Sequence, residues 1–237
     1  MQRFDGRTIV LTGAGREGQV GEAVARAFAG EGATLTLVDR NGDDANERAA
    51  TLRQLGYTAH AEGCDLADPE QVQALAGRVA RRSGARVDAL LNIAGGFVMS
   101  GPVGESDVAV WKRQFDINLT TAYLATRAFL PLLRPARGAI VYFASAAVLP
   151  DGRASGMSAY VAAKSGVVAL MRAVAEEERE AGVRANAVAP TAIRTAANLQ
   201  AMSATIRYVE REEVAATVLF LCSDAASAVT GQILRLA

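Results

Sequence analysis

Histidine and cysteine, on which most protein metal sites depend, are almost missing from this sequence. It holds one histidine, His60, and two cysteines, Cys64 and Cys222, among 237 residues. The cysteines sit inside apolar runs without metal-ligand spacing, so they read as small buried side chains. A zinc site and a disulfide framework are both excluded, and no metal is expected. Net charge is missing too. Lysine plus arginine and aspartate plus glutamate number 25 each, which argues against a general nucleic-acid or membrane-surface binder. The basic run at 78–86 reads as a solvated helix end. No apolar run reaches membrane-spanning length, the longest lying around 138–150. The chain enters a strand pattern at once, without a signal-peptide pattern, so the glycosylation-like "NLT" at 118–120 is set aside and the expected location is cytoplasmic. Linkers, repeats and low-complexity tracts are absent as well.

What is present is an apolar chain, 51% hydrophobic with 22 glycines and 6 prolines, that alternates two periodicities. Short β-branched runs predict strands at 7–13, 33–40, 58–66, 87–95, 138–145 and 183–190, with a last short strand in "GQILRLA". Helical spacing of apolar residues fills the intervals at 20–32, 43–56, 69–82, 107–133 (one long or two consecutive helices), 158–181 and 211–224. Asp68 followed by Pro69 marks one helix start. Strands apolar on both faces and separated by helices predict a doubly wound parallel sheet of Rossmann type, covered on both sides, in a single domain over 1–237. Ligands of such sheets bind beyond the carboxyl ends of the strands.

The chemically notable residues fall there. Strand one runs into "TGAGREGQVG" (12–21), a glycine-rich turn opening a helix, where backbone can approach a pyrophosphate. Strand two ends at Asp39, placed to accept hydrogen bonds from a ribose 2′-hydroxyl, or else simply to cap a turn. In "YVAAK", Tyr160 and Lys164 share one helix face. The pair reads either as an acid/base and its helper or as a partly buried tyrosine beside a surface lysine.

Taken together, "TGAGREGQVG", "CDL" (64–66), "NIAG" (92–95), "DINL" (116–119), "FAS" (143–145), "YVAAK" (160–164) and "NAVAPTAIRT" (186–195) resemble the short-chain dehydrogenase/reductase family over nearly the whole chain. The resemblance implies that Tyr160 is the acid/base and that Lys164 lowers its pKa and holds the nicotinamide ribose. A free phenol titrates near ~10, and a neighbouring cation favours the phenolate. Ser145 would hydrogen-bond the substrate oxygen, and Asn118 would hold a proton-relay water. Gly13, Arg16 and Val20 would meet the pyrophosphate and adenosine ribose. Asp65 and Leu66 would flank the adenine, with Asn92, Ala94 and Gly95 by the nearby ribose. Pro190, Ile193 and Thr195 would meet the nicotinamide. Asp39 points to NAD as cofactor, while Arg16 and Arg40 could reach the phosphate of NADP.

The chain also departs from that pattern. Its glycine-rich loop is two residues longer than usual and carries Gln19 where glycine is common. Ile93 replaces an asparagine, and Thr191 a glycine. Ser145 lies fifteen residues before Tyr160, about two more than usual, the substrate-lid segment from Thr195 to Tyr208 is short, and a "DGG"-like ending is lacking. The expected function is hydride transfer between NAD(H) and a small secondary alcohol or ketone, in a homo-oligomer (tetramer or dimer) built on the helices at 107–133 and 158–181. Two alternatives stand beside it. One is a 3-oxoacyl-carrier-protein reductase, for which Arg134 and Arg137 could form a docking patch. The other is a non-catalytic dinucleotide-binding regulator on the same fold.

Overall fold

The computed structural model describes residues 2–201 and 206–237. A seven-stranded parallel sheet runs through it in the order β3-β2-β1-β4-β5-β6-β9. The strands are β1 (Thr8–Thr12), β2 (Thr34–Asp39), β3 (Ala59–Gly63), β4 (Ala89–Asn92), β5 (Ala139–Phe143), β6 (Arg184–Pro190) and β9 (Ile233–Leu236). Helices α1 (Val20–Gly30), α2 (Gly42–Gln54) and α3 (Pro69–Ser83) connect the first half; α4 (Val108–Phe115), α5 (Thr121–Leu133), α6 (Ser158–Glu177) and α8 (Arg211–Cys222) serve the second. This is the Rossmann-type doubly wound sheet expected from the alternating pattern.

The strands form because their residues are apolar on both faces and find apolar surface on both. Phe28, Leu35, Val214 and Leu219 belong to the core on one side of the sheet. Leu75, Phe129, Tyr142 and Met171 belong to the core on the other. Asp68 caps α3 as expected, its Oδ1 accepting from the N–H groups of Glu70 and Gln71 at 2.9 and 3.1 Å. Helix α6 has the length and composition of a membrane span, but its inner face is core packed against β6.

Strand order reverses between β1 and β4, whose carboxyl ends therefore open a crevice between divergent connections. Three features escape periodicity. The predicted helix at 107–133 is interrupted by a π-helical turn, Asp116–Thr120, between α4 and α5. A helix of two turns, α7 (Ala196–Ala201), follows β6, and the two-residue strands β7 (Ala192–Ile193) and β8 (Tyr208–Val209) pair beside it. Elements this short leave no repeat to read. The expected short lid lies across this region, and its residues 202–205 are outside the described set.

Candidate active site

The glycine-rich loop is shaped by contacts that tolerate no side chain. A Cβ on Gly13, which has φ +69°, would stand 2.7 Å from the Ala94 Cα. One on Gly21 would stand 2.6 Å from the Gly13 carbonyl oxygen. The first glycine thus lets β1 approach the β4 loop, and the second lets α1 sit against the turn. Gly15 faces Asp39, where a Cβ would meet the carboxylate at about 3 Å. The Asp39 Oδ2 instead accepts the Gly15 N–H at 3.0 Å, and its Oδ1 the Asn41 N–H at 3.3 Å. The carboxylate therefore stands at the loop's edge, while Arg16 and Arg40 are exposed.

The longer loop is held at Gly18 by a group that sequence reasoning missed. Glu22, in the first turn of α1, accepts the Gly18 N–H at 2.7 Å. Arg48, Arg26 and Arg211 surround its carboxylate at 3.4, 3.5 and 3.7 Å, offsetting a negative charge beside the loop. Gly18 in turn accepts the Ala196 N–H at 3.2 Å, which ties the loop to the start of α7. An acidic residue in a helix first turn is ordinary, so only the fold reveals this one's partner.

Beyond β5, Ser145 caps a 3-10 turn, its Oγ accepting the Ala147 N–H at 3.2 Å. That use of a lone pair leaves the Ser145 O–H as a donor beside the Tyr160 phenol. Burial raises the Tyr160 pKa above the ordinary phenol value, and the Ser145 contact opposes that shift. The expected downward pull from Lys164 is not realised here. Lys164 is buried, donates to the Phe143 carbonyl at 2.7 Å, and is itself pushed down to about 8 by loss of solvent. The picture of a surface lysine is thereby overturned. Its ammonium is drawn to a strand-end carbonyl because that acceptor replaces lost hydration.

Asn118 occupies the π-helical turn. Its Nδ2 donates to the Gln114 carbonyl at 3.0 Å, the acceptor that an α-helical N–H would take. The ladder widens there, as it often does at functional sites. The same amide clamps Gly96, accepting its N–H at 3.2 Å and donating to its carbonyl at 3.0 Å. A Cβ on Gly95 would fall 2.6 Å from the Asn118 Oδ1 and 3.3 Å from the Lys164 Nζ. Asn118, Lys164 and the bare Gly95 backbone therefore converge. Gln114, fully buried, orients Asn118 through its own Oε1 at 3.2 Å and was not singled out by sequence.

Other expected positions are placed unevenly. Val20 opens α1, half-buried, and Ala94 backs the loop. Leu66 is buried below the crevice, while the Asp65 carboxylate accepts the Ala67 N–H at 3.0 Å. The Asn92 side chain turns into the core, donating to Thr126 Oγ1 at 3.1 Å, so this position can offer a ligand only its main chain. Pro190 ends β6, and Ile193 lies in β7. Thr195 is buried and caps α7, accepting the Asn198 N–H at 3.2 Å. No cluster of potential metal ligands occurs among the described residues.

Comparison with known proteins bears on what such a crevice does. A family model described as enoyl-(acyl carrier protein) reductase matches residues 13–236. A (5R,7aS)-5-hydroxy-7a-methyl-1-oxo-2,3,5,6,7,7a-hexahydro-1H-indene-carboxyl-CoA reductase of Mycobacterium tuberculosis is 38% identical, covering 98% of this chain and 92% of that one. A meso-2,3-butanediol dehydrogenase of Serratia marcescens is 36% identical over 97% and 92%. The solved structure of an NAD+-bound xylitol dehydrogenase superposes with a TM-score of 0.89 at 27% identity, covering 99% of both chains.

Proposed function

The chain belongs to the short-chain dehydrogenase/reductase family of oxidoreductases, and on that premise we propose that it uses NAD(H) to interconvert a small secondary alcohol and its ketone through Tyr160. One observation carries this reading: Asn118 and Lys164, from separate segments, converge on the Gly95 backbone where no side chain intrudes, and Tyr160, one turn before Lys164 on α6, faces Ser145. The cradle of Gly13, Gly15 and Gly21 fits a dinucleotide, because Gly13 and Gly21 lack a Cβ where backbone comes close and Gly15 lacks one where Asp39 does. A bound nicotinamide supplies or accepts the hydride.

The chain's own groups do the rest. The Ser145 O–H is free to donate to the substrate oxygen and so hold it near the phenol. A phenol with a raised pKa is neutral at pH 7, which suits Tyr160 to give a proton to a ketone. In the opposite direction it must first lose that proton, so alcohol oxidation should rise with pH. Lys164, adjacent to Gly95, is placed for a ribose hydroxyl once it leaves the Phe143 carbonyl. The Asn118 amide is spent on Gly96 and Gln114, so any water relayed past it would meet the main chain of the π turn.

The Asp39 carboxylate at the loop edge supports NAD over NADP, since a 2′-phosphate there would face a negative charge. The reading includes a cytoplasmic location, one domain over 1–237 and a homo-oligomer, tetramer or dimer. Exposed Val108, Trp111 and Tyr123 on α4 and α5 supply an apolar face for association. The test is titration with NADH and NADPH, then turnover on a panel of secondary alcohols and ketones. Tighter NADPH binding sinks the cofactor choice, and absence of turnover on every substrate sinks the activity. Light scattering that returns a 24.7 kDa monomer at micromolar concentration overturns the oligomer.

A further inference from the structure

Three consecutive large apolar side chains, Phe97, Val98 and Met99, follow the Gly95–Gly96 backbone at the mouth of the site. They are 51%, 40% and 58% exposed. Leaving such surface in water forgoes roughly 25 cal/mol for every Å², and contiguous patches of this kind mark binding grooves. The patch is also held in place. The Ser100 and Gly101 N–H groups both donate to the Gly156 carbonyl, at 2.9 and 3.1 Å. The Ser100 Oγ lies 3.2 Å from that carbonyl and 3.3 Å from the Ser158 Oγ. Gly156 lies two residues before the start of α6, which carries Tyr160, so loop and catalytic helix are tied together.

Within this frame Phe97 stands edge-on to the Tyr160 ring, with centroids 5.0 Å apart and planes at 85°. Met99 lies over bare backbone, where a Cβ on Gly156 would come 3.0 Å from its Cε. Neither side chain offers a hydrogen bond. The Phe97 ring is thus an apolar surface directly beside the Tyr160 ring, within reach of a group flanking the reacting carbon.

We infer that the substrate is an apolar secondary alcohol or ketone, alicyclic or with a long aliphatic arm, whose body packs on Phe97 and Met99, and that Phe97 is the residue selecting it over polyols. A polyol would bring flanking hydroxyls against side chains that cannot pair them, and each unpaired group loses its hydration without return. The inference rests on the oxidoreductase reading above.

The experiment compares kcat/KM for cyclohexanol, 4-methylcyclohexanol and 2-octanol with that for butane-2,3-diol and xylitol, in the wild type, Phe97→Ser and Met99→Ser. The apolar set should lead by at least about tenfold. Phe97→Ser should cost that set ~10–200-fold, mostly through KM, the range expected when apolar contacts in a pocket are lost. Its NADH dissociation constant should hold, which separates a lost wall from a disrupted fold. A wild type that prefers the polyols, or a Phe97→Ser variant with an unchanged preference, overturns the inference. Saturation-transfer NMR with cyclohexanol and xylitol reads the wall without turnover. Contact with xylitol but not cyclohexanol likewise overturns it. Absence of turnover on both sets refutes the oxidoreductase reading alone, and the NMR result then still decides the inference.

Discussion

At the amino edge of the sheet, cations and carboxylates come in pairs. Arg7 bonds Asp224 at 2.7 Å and Arg86 bonds Asp88 at 2.8 Å, while the other Asp88 oxygen accepts the Thr8 N–H at 2.9 Å. Arg184 closes the edge by donating to the Leu221 and Ser223 carbonyls at 2.6 and 3.3 Å. A cavity of about 340 Å³ opens among these residues. At the carboxyl edge, Lys164 is buried against a carbonyl with no carboxylate in salt-bridge reach among the described residues, and Tyr160 has only a serine. That cavity lies at the amino ends of the strands, away from Tyr160 and Lys164. Paired charges close a structure and spend their reactivity on each other. Groups kept buried without a counter-charge cost stability and stay available for chemistry.

The sharpest way to break this contrast is Tyr160→Phe, which keeps the ring against Phe97 and removes only the hydroxyl. Turnover should fall ~10²–10⁴-fold, as on losing a general acid/base, while NADH affinity barely moves. Stopped-flow and steady-state rates on a ketone that the wild type reduces check it. Near-normal turnover would make the phenol structural, like the charges of the amino edge.

Next in size is Lys164→Met. Burial pushes the Lys164 pKa from 10.5 to about 8. Between those values the unfolded chain holds a proton that the folded chain has lost, so stability from this position rises with pH across that window. Below about 8 the cost of burying the charge is present in full, on the order of 3 kcal/mol. The stability of Lys164→Met relative to the wild type should therefore decline as pH rises from 7.5 to 10. Urea melts of the cofactor-free proteins measure it, and parallel curves would show a hydrated lysine.

Arg184→Ala probes the opposite edge. Removing the guanidinium strands carbonyls at the end of α8 and should cost about 1–3 kcal/mol of stability. Turnover per folded molecule should stay put. A fall in kcat without a fall in melting temperature would mean that the two edges are coupled.

The smallest effect sharpens the cofactor assignment. Asp39→Ala should narrow the preference for NADH over NADPH by about tenfold, the value of one charge-assisted hydrogen bond. Paired titrations read it directly. An unchanged ratio would assign Asp39 to holding Gly15 alone.

Much of the molecule was legible from local pattern. Continuous β-branched apolar runs and apolar spacing of period 3.6 placed every long strand and helix, since both patterns record which faces leave water. Glycines at 13 and 21 announced the loop, because backbone approach needs a missing Cβ wherever it occurs. Tyr160 and Lys164 were recognisable as one face of one turn, and Asp39 as the end of a strand.

Where each polar atom pointed was decided by partners distant in sequence. Nothing local says that Asn92 turns inward to Thr126 while Asn118 turns to Gly96, because both are asparagines flanked by leucine and isoleucine. The π turn at 116–120 arises from a side chain competing for one carbonyl, which leaves no trace in a hydrophobic pattern. Lys164 reads as a surface residue until β5 brings the Phe143 carbonyl over it, and only that burial sets its pKa. Glu22 as a loop clasp, Gln114 behind Asn118 and Phe97 against Tyr160 are likewise contacts across the sheet's connections. Periodicity reports which side of an element is buried; hydrogen-bond partners and desolvation depend on which other element arrives there, and that was decided by the tertiary structure alone.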